Sequence, residues 1–219
     1  MLKNIEAVIF DLDGTLIDSM WVWKQLDIEY LKNKGHSLPE DLQRDIQGLS
    51  YTETALYFKD RFQLEDTVDE IKQEWNHMAI HYYSSVISIK KGVKEFLEYL
   101  KDNGYKIGIA TSNYIEQTKA VLQQNGILEY FDAITTACEV PRSKAYPDVF
   151  LETAKRLHIP PEKCLVFEDS LVSVGGAKAA GMQVIGVFDP HGSCSYQELS
   201  KITDHLIEDF SSMSQLCQA

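Results

Sequence analysis

The apolar residues of this chain follow two different periods. Ile5, Ala7, Val8, Ile9 and Phe10 make a short run broken only by Glu6, and such a run predicts a strand buried on both faces. From about Asp18 to Ser85 the spacing becomes helical. Asp18 and Ser19 are candidate N-caps of a helix through Lys34, closed by Gly35, and Pro39 starts a short second helix. Ser50-Tyr51-Thr52-Glu53 has the pattern of a capping box for a third helix, and Asp66 or Thr67 opens a fourth that runs toward Tyr83.

From Gly92 helix and strand alternate. Val93, Phe96, Leu97 and Leu100 form one apolar helical stripe that ends at Asn103-Gly104, and a strand over 106–110 follows. The same reasoning predicts a helix over 114–124 ended by Asn125-Gly126, a strand over 133–136, a helix over 148–157, a strand over 164–167, a helix over 171–180 closed by Gly181, and a strand over 184–188. This alternation implies an α/β fold, a Rossmann-like parallel sheet with helices on both faces and right-handed crossovers. The helices inserted after the first strand should form a four-helix cap over the carboxyl-end face. The expected division is 1–16 with 86–219 for the sheet body and 17–85 for the cap, with hinges over 16–18 and 84–91.

The strand ends carry the chemistry. Asp11 and Asp13 close the first strand one residue apart, so strand alternation points them the same way, at the edge where open α/β sheets bind ligands. Two carboxylates held this close call for a cation or a shared proton. Gly14 then lets the backbone turn away. A calcium loop is excluded, since that pattern wants glycine at its sixth position, where Leu16 stands. Thr111-Ser112-Asn113 follow the second strand, Lys144 lies in a loop after the third, and Glu168-Asp169 end the fourth, so all of these polar groups should converge on one crevice.

Composition narrows the partners. The net charge of −12 argues against nucleic acid and anionic membranes, so an anionic substrate must be drawn by local positive charge or a metal. Cys138, Cys164, Cys194 and Cys217 have neither zinc spacing nor a C-x-x-C pair, and are expected as structural thiols in a reducing compartment. With no signal-peptide pattern and no apolar run long enough for a span, the expected location is cytoplasmic and the expected state a monomer. His77 and His81 sit one helical turn apart, but without a third ligand they make no metal site.

Taken together, Asp11-Leu12-Asp13-Gly14-Thr15-Leu16, Ala110-Thr111-Ser112-Asn113, Lys144 ahead of Pro147-Asp148-Val149-Phe150, and Phe167-Glu168-Asp169-Ser170 resemble the four motifs of the haloacid dehalogenase (HAD) superfamily. The likeness is to its branch with a helical cap after the first motif, which includes β-phosphoglucomutases and phosphoglycolate-type phosphatases. It implies a HAD-like core, Asp11 as nucleophile forming an aspartyl-phosphate, and Asp13 as general acid and then base, with its backbone carbonyl on the metal. It further implies Mg²⁺ held by Asp11 and Asp169, with Glu168 as a further ligand or an orienting group. Thr111, the backbone amides of Ser112 and Asn113, and Lys144 would grip the phosphoryl group.

Two departures from the family pattern stand out: Lys144 is followed by Ala145 rather than proline, and Ser173 takes the place of a frequent glycine. Thr15 is typical of phosphatases, and the second acid, Asp13, disfavours a dehalogenase. In the cap, Trp23 stands where mutases carry histidine and Tyr51 where they carry a phosphate-gripping arginine, which removes bidentate phosphate recognition. The expected function is therefore hydrolysis of a small phosphomonoester, with a phosphohexomutase as the alternative and a non-enzymatic binding protein as a third reading. Trp21 and Trp23, with Met20 and Leu26, either line the substrate pocket or fill the helical bundle, and Tyr51 is a candidate substrate contact.

Overall fold

A computed structural model of the chain describes residues 2, 4–46, 51–192, 194–211 and 213. Gly48, Leu49, Ser50 with its expected cap, and Cys217 lie outside the described residues, as does the side chain of Gln43. Strand β1, Ala7–Phe10, is followed by helices α1 (Met20–Asn33), α2 (Leu42–Ile46), α3 (Tyr51–Phe62) and α4 (Val68–Ser85). After these come α5 (Val93–Asp102), β2 (Lys106–Thr111), α6 (Ile115–Gln124), β3 (Ala133–Thr136) and α7 (Asp148–Leu157). The chain then continues through β4 (Cys164–Glu168), α8 (Leu171–Ala179), β5 (Gln183–Val187), α9 (Tyr196–Ile202) and β6 (His205–Ile207).

The strands form one parallel sheet in the order β3-β2-β1-β4-β5-β6. Its first strand lies at the centre, and that explains its continuous apolar run: Val8 and Phe10 join a core with Phe96, Leu97 and Val121, while Ala7 and Ile9 join one with Val149, Phe150 and Val174. Helices therefore cover both faces. The insertion has an apolar core of its own, built on Tyr30, Leu42, Phe58, Ile71 and Trp75.

The structure corrects several expectations. Ser19 occupies the N-cap position of α1 without capping it, because its hydroxyl is directed to Asp13 instead. Thr67 rather than Asp66 caps α4, in a full capping box with Glu70. Helix α2 begins at Leu42, beyond Pro39. The last helix and strand, α9 and β6, escaped the apolar pattern because they are short, although Ser195 and Glu198 form a capping box.

The two expected hinges are not independent linkers. Ile17 pairs with Ile89 in an antiparallel bridge, Asp18 N–H donates to Ser88 O (3.0 Å), and Lys90 N–H donates to Leu16 O (2.9 Å). A buried ion pair of Lys90 with Asp189 (2.8 Å) ties this ribbon to the loop after β5.

Candidate active site

Asp11 directly follows β1, Thr111 ends β2, and Glu168 ends β4, so the three neighbouring central strands deliver these groups to one edge of the sheet. With β2 and β3 on one side of β1 and β4, β5 and β6 on the other, the strand order reverses between β1 and β4, and this edge is the switch-point crevice of an open α/β fold. Asp11 N–H donates to Phe167 O (2.9 Å), which continues the β1–β4 ladder one residue past the strand and fixes the carboxylate at its end.

Lys144 reaches this edge from the loop between β3 and α7. Its Nζ lies 2.5 Å from Asp11 Oδ1 and 2.6 Å from Glu168 Oε2, with all three side chains buried. Burial pulls the lysine pKa down, but the charges of Asp11 and Glu168 outweigh it and hold the ammonium above its ordinary value. A turn from Ser143 to Tyr146 (3.0 Å) shapes the loop although Ala145 replaces the family proline. The loop can come this close because α8 has glycine at 176, where a Cβ would lie 2.2 Å from Lys144 O.

Glu168 Oε1 accepts from the amides of Asp169 (3.2 Å) and Ser170 (3.1 Å), so both of its oxygens are engaged. Burial, and then the charge of Asp11, pushes Glu168 up to about 7. Asp169 is raised well above the usual carboxylate range by burial and by Glu168 and Asp11. Its carboxylate rests on Gly14, whose φ of +77° suits glycine and where a Cβ would sit 2.4 Å from Asp169 Oδ2. Carboxylate oxygens of Asp11, Glu168 and Asp169 all lie within 4.8 Å of one another. With one ammonium among three carboxylates, the cluster is short of positive charge.

Asp13 sits in a different environment. Its Oδ1 accepts from the hydroxyls of Ser19 (2.7 Å) and Tyr83, and its Oδ2 from Asn113 Nδ2 (3.1 Å). All three donors are neutral, and burial pushes the Asp13 carboxyl up to about 6. Asn113 is held by its neighbours: its amide donates to Thr111 Oγ1 (3.0 Å), and its Oδ1 accepts from Tyr114 N–H (2.8 Å). Thr111 is buried at the strand end, whereas Ser112 is exposed.

Of the cap residues, Trp23 packs edge-on against Tyr83 (6.4 Å) and Tyr51 (6.5 Å), and Tyr51 against Tyr114 (5.8 Å) and Trp75 (5.5 Å). Both half-buried rings thus belong partly to the helical bundle and partly to the roof over the Thr111 loop. The Tyr51 hydroxyl donates to Asn76 Oδ1 (3.0 Å), which also accepts from Gln117 Nε2 (3.2 Å) and joins α4 to α6. Met20 lies against Gly14, Leu26 is buried in the core, and Trp21 turns aside to donate to Asp18 O (2.9 Å). The sequence reading missed Tyr83 and the true partner of Ser19. The first lies 70 positions from Asp13, and no local pattern joins them.

Comparison with known proteins agrees with this geometry. The family model described as haloacid dehalogenase-like hydrolase matches residues 8–187. A Thermotoga maritima protein named phosphorylated carbohydrates phosphatase is 30% identical over 181 residues, 83% of this chain and 84% of that protein. The β-phosphoglucomutase of Bacillus subtilis is 29% identical over 199 residues, 84% and 83% of the two chains. Among solved structures, CbbY from Rhodobacter sphaeroides in complex with phosphate shares the fold, with a TM-score of 0.83, 22% identity and coverage of 95% of this chain and 96% of that one. With the four motifs at one strand edge and the family model spanning most of its length, this chain belongs to the haloacid dehalogenase-like hydrolase family.

Proposed function

We propose that the chain is a Mg²⁺-dependent, cytoplasmic phosphatase that hydrolyses a small phosphomonoester, a sugar phosphate or similar metabolite, through an aspartyl-phosphate on Asp11. Residues 1–16 and 86–219 would form the catalytic body, and 17–85 a lid hinged on the paired ribbon. The observation that carries the reading is the contrast between two aspartates one residue apart: among the described residues, Asp11 is bonded to an ammonium and Asp13 to neutral donors. Such a split suits a nucleophile beside a proton carrier.

Three crowded carboxylates around one lysine fit a hard divalent cation with oxygen ligands. Asp11, Asp169 and the Asp13 backbone carbonyl would hold Mg²⁺, which when bound neutralises charge and polarises the phosphoryl oxygens. Glu168, with both oxygens already engaged, takes the orienting role, aiming Lys144 and fixing the loop after β4.

The Asp11 carboxylate attacks phosphorus, an O–P bond forms, and the bond to the leaving oxygen breaks while Asp13 gives that oxygen its proton. Water then attacks the phosphorus, Asp13 takes its proton, the bond to Asp11 breaks, and inorganic phosphate leaves. Lys144, the Thr111 hydroxyl and the backbone amides after it hold the phosphoryl oxygens throughout.

The name of the Thermotoga maritima relative supports a carbohydrate phosphate as substrate, and that of the Bacillus subtilis relative keeps a mutase as the alternative. The test is phosphate release from a panel of small phosphate esters, with and without Mg²⁺, by the wild type and Asp11→Asn. Turnover by the wild type only with Mg²⁺, and none by the variant, supports the reading. Isomerisation of β-glucose 1-phosphate in place of hydrolysis makes the mutase the function, and equal inertness of both forms ends the enzymatic reading.

A further inference from the structure

The mechanism above gives no task to Tyr83, in the last turn of α4, yet this fully buried side chain spends its hydroxyl on Asp13 Oδ1. Burial alone does not demand such a partner. Tyr30, equally buried in the insertion, has a hydroxyl with no hydrogen-bond partner among the described residues.

A phenol and a serine hydroxyl can only donate to a carboxylate, so Oδ1 of Asp13 receives two O–H groups, from Tyr83 and Ser19 (2.7 Å). A proton on Oδ1 would require one of these hydroxyls to turn and give up its donation, whereas Oδ2 receives a single donor, so a protonated Asp13 favours its proton on Oδ2. That oxygen faces Asn113 (3.1 Å) in the loop after β2, where the phosphoryl group and its leaving oxygen would lie. Trp23 packs edge-on against the Tyr83 ring (6.4 Å).

We infer that Tyr83 is a positioning residue for proton transfer: with Ser19 it occupies Oδ1 of Asp13 and confines the transferable proton to Oδ2, on the side of the leaving group. This rests on the reading of Asp13 as general acid, and the experiment separates the two. Protonation matters for an alkoxide leaving group and hardly at all for p-nitrophenolate, a weak base. kcat/KM reports the step in which the leaving group departs, so it is measured with Mg²⁺ for glycerol 2-phosphate and p-nitrophenyl phosphate.

Asp13→Asn is expected to lose about a hundredfold or more on the glycerol ester and far less on the aryl ester. Tyr83→Phe, which keeps the ring and its packing, is expected to lose about tenfold on the glycerol ester and to stay within about twofold on the aryl ester. Tyr82→Phe, whose hydroxyl bonds Glu29 (2.9 Å), controls for loss of a phenol on the same helix and leaves both unchanged. Equal loss by Tyr83→Phe on the two esters, or none, while Asp13→Asn stays selective, overturns the positioning role alone. An inactive wild type, or an Asp13→Asn variant with no leaving-group preference, overturns the acid assignment and the positioning role with it.

Discussion

Lys144 in the sheet body and Lys34 in the insertion make the same connection in different surroundings. Each ammonium bridges two carboxylates, Lys144 those of Asp11 and Glu168 at 2.5 and 2.6 Å, Lys34 those of Asp66 and Glu74 at 3.1 and 2.9 Å. The Lys144 side chain is 5% exposed and its partners 8% and 1%; the Lys34 side chain is 22% exposed and its partners 29% and 35%. Both lysines are held above the ordinary pKa by their partners. In water such pairing is nearly neutral in free energy, because the charges keep much of their hydration. In the interior the desolvation cost is large, and a cluster like this one is a weak source of stability. The buried bridge therefore suits the chemistry proposed for Asp11, and the partly exposed one adds a small increment to the packing of the insertion.

Lys144→Met sharpens this contrast most. Among the described residues the variant takes from Asp11 and Glu168 their paired ammonium, and on the proposed mechanism it removes a group that holds the phosphoryl oxygens. A loss of at least about 10³-fold in kcat/KM is expected, measured by phosphate release with saturating Mg²⁺. An activity within tenfold of the wild type would break the comparison at its strong end.

The next effect is in stability. In the metal-free protein burial, and then the charge of Asp11, pushes Glu168 from its ordinary 4.5 up to about 7, and burial with the charges of Glu168 and Asp11 raises Asp169 in the same direction. The native state thus binds more protons across that interval, so stability falls as pH rises through it, by about 3 kcal/mol for Glu168 alone. Thermal melts of metal-free protein against pH should show this decline, and Mg²⁺ should reverse it at the upper end. Asp169→Asn should melt higher than the wild type without metal and respond less to Mg²⁺. A flat or rising profile without metal would mean that the carboxylates are compensated by groups other than a cation.

The sequence exposed the sheet body more fully than the insertion, and for a physical reason. Strand alternation places Asp11 and Asp13 on one side, and each later strand end adds its polar group at a short, local spacing, so Thr111, Glu168 and Asp169 could be found from the chain alone. Lys144 follows no element pattern and was found by the order of motifs. Ser19 misled because a serine before a helix is ordinarily its cap, whereas here Asp13 outcompetes the helix amides. Tyr83 and the Lys90–Asp189 pair join segments far apart in the chain, and no periodicity encodes a contact between segments. The roof of Trp23, Tyr51 and Tyr114 was open to two readings because aromatic residues at helical spacing serve both a bundle core and a pocket wall.

The Lys90–Asp189 pair lies between the extremes, since it is buried like the first bridge (9% and 2% exposed side chains) but joins the paired ribbon to the loop after β5. Asp189 also caps its own loop, its Oδ1 accepting from His191 N–H (2.7 Å). Lys90→Met strands the Asp189 carboxylate inside the protein and is expected to destabilise by about 3 kcal/mol in denaturant melts. The double variant Lys90→Met with Asp189→Leu, which removes both charges, should recover much of that loss. If the single change costs less than about 1 kcal/mol, this pair behaves like the insertion surface and burial is not what separates the two regions.

Lys34→Met tests the weak end. The methionine keeps most of the apolar stem against Tyr30, whose ring lies 5.4 Å from the Lys34 ammonium, and removes only the charge. Asp66 and Glu74 are partly exposed and recover water, so no stranded charge results. A loss of about 0.5–1 kcal/mol is expected, shrinking in high salt because the pair is screened, with kcat/KM unchanged on any phosphate ester. The salt response is the decisive part. Lys144→Met should lose its activity equally at low and high salt, because its partners are shielded from ions by the protein itself, and a salt-independent loss at Lys34 would mean that its carboxylates are as sequestered as those of the active site.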